Sequence, residues 1–182
     1  MRTLKTQIKI KTFWSILFCV MLLILVFNTG VSKEMSSVTR PYSGSPYTII
    51  DSQQVPLAPS VGANSLEALT LSEINDIRVA AGLNPLLYSE NLTQAALIRA
   101  MECDRLFSHT RPNGADWYTV DPAIMYGENL AQGYSDPGTL TTAWMNSPAH
   151  RELILDEGFT TCGIGSFKAA NGVVYVAAEF GY

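Results

Sequence analysis

Two apolar segments at the C-terminal end of the chain, Thr160 to Phe167 and Val173 to Phe180, have the composition of β-strands. Asn171-Gly172 lies between them, and Asn-Gly is the strongest short-range signal for a β-hairpin because both residues tolerate the positive φ of the turn. The segments before this hairpin show helical periodicity instead. Helices first and strands last favour an α+β fold over a repeated βαβ pattern.

Four helices are predicted before the hairpin, because four segments follow good N-cap residues. The first runs from Asn64-Ser65 to Gly82, a natural residue just beyond a helix end. The second follows Ser89 and reaches about Leu106, and its many alanines predict close packing against a sheet. The third and fourth begin with proline at the first helical position and follow these caps: Asp136 and Ser147.

The N-terminal region has the pattern of an export signal. Four basic residues within the first eleven positions precede an uncharged apolar run from Phe13 to Phe27, as in secretory signals. A membrane span needs about 20 apolar residues, so the run also fits an anchor if its apolar flanks join it. Residues 1–32 are therefore either a cleaved signal peptide or an N-terminal membrane anchor. Both place the remaining chain outside the cytoplasm, secreted or held at the outer face of the plasma membrane by residues 13–27.

Residues 33–64 are predicted to be a flexible linker, and residues 65–182 a single domain. The linker is rich in Ser and Pro and lacks periodicity, so it cannot bury enough apolar surface to offset its ordering entropy. Of the 12 Lys and Arg in the chain, four precede residue 12, whereas all 16 Asp and Glu follow it. The resulting acidic surface repels phosphate backbones, which argues against nucleic-acid binding.

Two cysteines, Cys103 and Cys162, lie outside the apolar run, which contains Cys19. Because cysteines in an oxidising compartment often pair, a Cys103–Cys162 disulfide is predicted. The alternative is two small buried residues that never meet.

The only two histidines, His109 and His150, lie outside ordinary helix interiors. His150 is the third residue of the predicted fourth helix, where the helix dipole disfavours positive charge. The neutral imidazole favoured there is the form that binds a metal or accepts a proton. Taken singly, each histidine is more often a hydrogen-bonded structural group.

Two glutamates are further candidates. Glu128 follows a glycine beside a β-type stretch and can point into a cleft, although alone it is more typical of a solvated loop. Glu179 lies near the end of the last strand, where alternation leaves inward and outward orientations open. No His-Glu-x-x-His motif and no Gly-x-Ser-x-Gly elbow occurs in the sequence.

Several ordered motifs give the region from about Leu66 to the end a family resemblance. They include Phe107-Ser108-His109, Gly127-Glu128-Asn129-Leu130-Ala131, and the stretch from Ala143 to Arg151 that contains Trp144 and His150. Asn75 and Arg78 match the first helix, and Gly163-Ile164-Gly165 matches the hairpin. With these motifs the region resembles the CAP superfamily of cysteine-rich secretory proteins, antigen five and plant pathogenesis-related proteins, and looks most like its bacterial SCP-like branch.

The resemblance implies an α–β–α sandwich with a central, mostly antiparallel sheet and a cleft where two histidines and two acidic residues converge. By motif, the cleft residues are His109, Glu128 and His150. Ser147 replaces the second acidic residue, the Glu of a Trp-x-x-Glu pattern, and Glu179 is not assumed to substitute for it. Two neutral imidazoles with a carboxylate or water suit Zn²⁺ or another divalent metal, so His109 and His150 are the expected ligands.

Three functions are compatible with these expectations. The first is a non-enzymatic extracellular binding module for a lipid, another small molecule, or a cell-envelope or protein partner. The second is a metal-dependent hydrolase or peptidase with Glu128 as base. The third is a structural envelope-associated domain. The missing second Glu and the missing nucleophile motif favour the first function over the second.

Overall fold

The computed structural model describes residues 35–40, 62 and 64–182, and the predicted signal or anchor segment 1–32 lies outside the described residues. None of the helices in this described part is long and apolar enough to cross a membrane. The elements follow in chain order: β1 (Met35–Thr39), α1 (Leu66–Ala80), β2 (Leu87–Tyr88), α2 (Glu90–Cys103), a short 3₁₀ helix (Trp117–Val120), β3 (Gly127–Gln132), α3 (Pro137–Asn146), α4 (Pro148–Ile154), β4 (Thr161–Lys168) and β5 (Val174–Gly181).

The strands form one five-stranded sheet in the order β1-β3-β5-β4-β2. Neighbouring strands are antiparallel except β2 and β4, which are parallel. Helix α2 packs on one face across β4 and β5, and α1, α3 and α4 contribute to the core on the other face. The predicted α+β class and α–β–α sandwich are confirmed.

The helix starts follow the predicted local signals. Ser65 Oγ accepts a hydrogen bond from the Ala68 amide, and Ser89 and Asp136 cap α2 and α3 in the same way. Helix α2 ends at Cys103 rather than near Leu106. The final strands form the expected hairpin, whose Gly172 has a φ of 86°.

Close approach between α2 and the sheet depends on residues without large side chains. Ala96 and Ala100 on α2 are fully buried, as the alanine-rich sequence predicts. Opposite them, a Cβ at Gly163 would lie 2.1 Å from the Thr93 amide nitrogen, and one at Gly165 would lie 2.2 Å from a backbone atom of the same helix. The two glycines of β4 therefore set the distance at which α2 packs.

Arg78 on α1 is buried and joins the end of that helix to the segment after α4. Its guanidinium donates to the carbonyl oxygens of Asn84, Ile154, Asp156 and Phe159, at distances between 2.8 and 3.2 Å. Each of these carbonyls lies outside regular hydrogen-bonding ladders or at a helix end, where it needs a donor. Arg78 thus has a structural role that accounts for its place in the family motif.

Strand β1 lies inside the range 33–64, for which the sequence predicts a flexible linker. The segment pairs with β3 along its length, from Met35 opposite Ala131 to Thr39 opposite Gly127. The linker prediction is therefore wrong for these residues. Their sequence carries no strand signal of its own. They form a strand because the edge of β3 supplies backbone hydrogen-bonding partners.

The predicted Cys103–Cys162 disulfide is also wrong, since both cysteines are free and buried. Cys103 packs in the cluster under α2, whereas Cys162 belongs to the core on the opposite face of the sheet. The sheet therefore separates the two thiols. Burial raises the pKa of Cys103 to about 12, so this thiol stays protonated and unreactive.

We expect Gly163→Ala to destabilise the domain by about 3 kcal/mol or more, because the new methyl group meets helix backbone that cannot move independently. Gly138→Ala on α3 is the matched control: its Cβ would meet only side-chain oxygens, the nearest at 3.5 Å, and alanine favours the helix. Urea unfolding of both variants measures the difference. Equal stability of the two would contradict the close approach of α2 to the sheet.

Candidate functional site

Glu128 on β3 is at the centre of the candidate site and is completely buried. Arg99 Nε donates to its Oε2 at 2.6 Å, and Arg99 Nη2 donates to its Oε1 at 3.3 Å. His109 Nδ1 donates to the same Oε1 at 2.6 Å. Both oxygens of the carboxylate are thus engaged by neighbouring side chains.

Arg99 on α2 carries its charge into the core because acceptors surround it. Besides Glu128, it donates to Glu102 Oε2 at 2.7 Å and to the Ser108 carbonyl at 2.6 Å. Burial lowers the pKa of Arg99, but the hydrogen bond and charge of Glu128 more than offset this effect, so the pKa is raised overall. The Ser108 contact also holds the loop that carries His109.

His109 bridges the buried ion pair and strand β1. Its Nδ1 hydrogen-bonds to the Glu128 carboxylate, and its Nε2 shares a hydrogen bond with the Ser36 hydroxyl of β1. The His109 side chain is 20% exposed, so the ring lies between the core and the surface.

His150 on α4 also lies beside Ser36 of β1. Its Nδ1 shares a 2.6 Å hydrogen bond with Ser147 Oγ, and its carbonyl accepts from Asn129 Nδ2. Burial lowers the pKa of His150, an effect that the Ser36 backbone opposes and the nearby His109 reinforces. The ring is therefore neutral at neutral pH. Within the described residues, its buried Nε2 has no hydrogen bond of normal geometry.

Ser147 takes part in the site rather than acting only as a helix cap. It occupies the N-cap position of α4, but its side chain makes no capping hydrogen bond and contacts His150 instead. A hydroxyl thus orients the imidazole where the family pattern has a carboxylate.

Glu179 is the acidic residue whose orientation the sequence left open, and it points inward. It lies opposite Glu128 in the register of β3 and β5 and is completely buried. Burial raises the pKa of Glu179 well above its usual value, and the adjacent Glu128 raises it further. Because every residue of β5 after Val174 is buried, alternation gave no signal for its direction.

The two predicted metal ligands partly fit a divalent ion. Each imidazole has its Nδ1 held by an oxygen, as in metal-binding histidines, and both rings border Ser36. Yet no group of three or more His, Cys, Asp or Glu in the described part of the chain is arranged to hold a metal. Any further ligands would have to be water or a bound molecule.

A separate surface cavity of about 540 Å³ lies beside α3 and α4. It contains neither histidine, and its lining combines apolar and charged side chains: Met145, Asn146, Pro148, Arg151, Glu152 and Leu155.

The fold and site together define an α–β–α domain in which Glu128 of the sheet contacts His109, and a second histidine, His150, lies near His109. The model of the cysteine-rich secretory protein family (CAP) matches residues 71–180, which is more than half of the chain. The chain therefore belongs to the CAP family.

Individual relatives agree with this membership. The uncharacterized protein YkwD of Bacillus subtilis (strain 168) is 32% identical over 136 residues, covering 71% of this chain and 52% of that protein. The chain thus spans about half the length of this relative.

Solved structures resemble the fold. An extracellular protein containing an SCP domain from Bacillus anthracis str. Ames has a TM-score of 0.57 at 25% identity, covering 69% of this chain and 44% of that one. An outer surface protein from Borrelia burgdorferi has a TM-score of 0.58 at 23% identity, covering 66% of this chain and 95% of that one. At 23% identity the second likeness concerns the fold alone.

We expect Glu179→Gln to raise stability relative to wild type as pH increases. The raised pKa means that the folded state favours the protonated carboxyl, so wild type loses stability as pH rises above about 4.5, the usual carboxyl value, towards the folded pKa. Glutamine mimics the protonated form and does not titrate. Urea unfolding from about pH 4 to about pH 9 measures the difference, with Glu157→Gln as control. A difference independent of pH would contradict a protonated Glu179.

Proposed function

We propose that this protein is an extracellular, non-enzymatic binding module of the CAP family that engages its partner beside His109 and His150. The export pattern at the N-terminus supports an extracellular location. A similar solved structure supports it too, because that structure is of an extracellular protein containing an SCP domain.

The state of Glu128 is the observation that carries the non-enzymatic part of the proposal. A general base must reach the proton that it removes, directly or through one water. Glu128 is fully buried, and Arg99 and His109 occupy both of its oxygens. Its charge is used to stabilise the arginine and orient the imidazole, which disfavours the hydrolase alternative.

Ser147, at the second acidic position of the family pattern, and Glu179 also support a non-enzymatic function. Ser147 orients His150 without adding a negative charge, and burial beside Glu128 raises the pKa of Glu179, which favours its uncharged form. Neither group is a carboxylate available to activate water.

A divalent metal such as zinc is part of this proposal. His109 and His150 would hold it through ring nitrogens, the metal taking the place of the Ser36 hydrogen bond to His109 Nε2, with Glu128 and Ser147 orienting the rings. When bound, the ion would supply a positive charge that attracts an oxygen of the partner. The protein supplies the orientation of the two rings and the buried carboxylate behind His109.

We expect zinc to bind the full chain saturably, and His150→Ala to abolish this binding without loss of cooperative unfolding. The lost imidazole is one of only two nitrogen ligands. Calorimetric titration of wild type, His150→Ala and the control Glu152→Ala, an exposed residue on the same helix, measures this. Unchanged zinc binding by a His109→Ala/His150→Ala double variant would rule out the histidine pair as the metal site. Chelator-sensitive cleavage of casein by wild type would overturn the non-enzymatic part.

We also expect Glu128→Gln to destabilise the domain by about 3–5 kcal/mol, because it removes the fully buried counter-charge of Arg99 and leaves only the partly exposed Glu102. Glu102→Gln should cost less, since the Glu102 side chain is 19% exposed and solvent screens its ion pairs. Chemical denaturation of the two variants compares them. If Glu128→Gln keeps wild-type stability, the carboxylate is not needed for structure and the base hypothesis regains support.

A further inference from the structure

We propose that the edge of β3 is a groove for an extended peptide, and that residues 36–40 of the chain are its built-in occupant. The inference rests on the proposed binding function and specifies its partner class: a polypeptide segment that adds a strand to the sheet. It does not depend on a metal.

The backbone of the occupant completes the sheet. Residues 35–39 pair antiparallel with β3, and the Arg40 amide continues the pairing by donating to the Tyr126 carbonyl at 2.7 Å. The other side of β3 pairs with β5. Without β1, β3 would therefore present a row of unpaired amides and carbonyls, which is the template used when peptides add to a sheet edge.

Alternate side chains of the occupant enter three different subsites on one face. The Ser36 hydroxyl shares a hydrogen bond with His109 Nε2. Val38 packs against the apolar cluster that contains Trp117 and Met125. These residues are two apart, as strand geometry requires for side chains on the same face.

Arg40 fills the third subsite. Its guanidinium carbon lies 4.8 Å from the ring centre of Tyr118 and 4.3 Å from that of Tyr126, and its Nη2 donates to the Pro122 carbonyl at 2.7 Å. Stacking on two aromatic rings with a carbonyl acceptor is selective for arginine, because lysine lacks the planar fork.

The three subsites define a recognition pattern of a hydroxyl residue, an aliphatic residue and an arginine at alternate positions. The first subsite joins this groove to the histidine pair, since Ser36 lies against His109 and beside His150. The site of the proposed function is therefore one end of a longer groove.

The occupant has the properties of a segment that can be exchanged. None of the side chains from Ser36 to Arg40 is fully buried, and the strand lies at the edge of the sheet. Such segments open locally at low cost compared with core strands. A tethered segment also competes at an effective concentration of about millimolar, so a free peptide should bind measurably only after the resident strand is weakened.

The test uses the full chain carrying Ser36→Ala, Val38→Ala and Arg40→Ala together, and a fluorescent peptide with the sequence of residues 33–41. We expect saturable peptide binding by anisotropy, at least tenfold tighter than to wild type. The control chain carries Ser37→Ala and Thr39→Ala, whose side chains lie on the opposite face, and should resemble wild type. A control peptide with alanine at the three recognition positions should lose at least tenfold in affinity.

Failure of the groove and failure of the proposed function give different results. Titrations run in chelator, so an absent zinc site leaves the peptide result unaffected, and mass spectrometry shows whether the peptide is recovered intact. Cleavage would overturn the non-enzymatic function but not the groove. Arg40→Ala alone, which removes only the contacts of the third subsite, replaces the triple variant if that variant does not unfold cooperatively. Absence of saturable binding up to millimolar peptide by a folded weakened variant, or equal binding of the control peptide, would overturn the groove.

Discussion

The buried ion pair between Arg99 and Glu128 determines how the rest of the site is arranged. Neither charge is stable in the core alone, because desolvation costs several kcal/mol per ion, and each has a partner at 2.6 Å. The pair joins α2 to β3, and through the Ser108 carbonyl it also holds the loop that carries His109. The charge of Glu128, which the hydrolase alternative needs as a base, is thus paired with Arg99 in the core.

Charge balance around this pair explains the rest of the electrostatics. A second charged carboxylate at Glu179 would repel Glu128 in the core, and the raised pKa of Glu179 favours its uncharged form. On α4, His150 has the Ser147 hydroxyl beside it rather than a carboxylate. With no added negative charge to favour protonation, burial keeps the imidazole neutral. The site is therefore less acidic than the family pattern would make it.

Strand β1 lies between the histidine site and the surface of the domain. It closes the edge of the sheet, covers the histidines with Ser36 and packs Arg40 on two tyrosines. The same contacts that stabilise the strand in this chain describe what a partner segment would need in order to take its place. A binding function at this edge then requires exchange of one strand, without rearrangement of the sandwich.

The sequence by itself determined the elements whose signals are local: the caps at Ser65 and Ser89 act within three residues, and Asn171-Gly172 closes its own hairpin. The ordered motifs also identified Glu128 and both histidines. Tertiary structure alone decided that Met35–Thr39 is a strand, that Glu179 faces inward, and that the sheet separates Cys103 from Cys162. The physical reason is that pairing partners and sheet faces depend on segments far apart in the chain, whereas caps and turns satisfy backbone groups of their immediate neighbours.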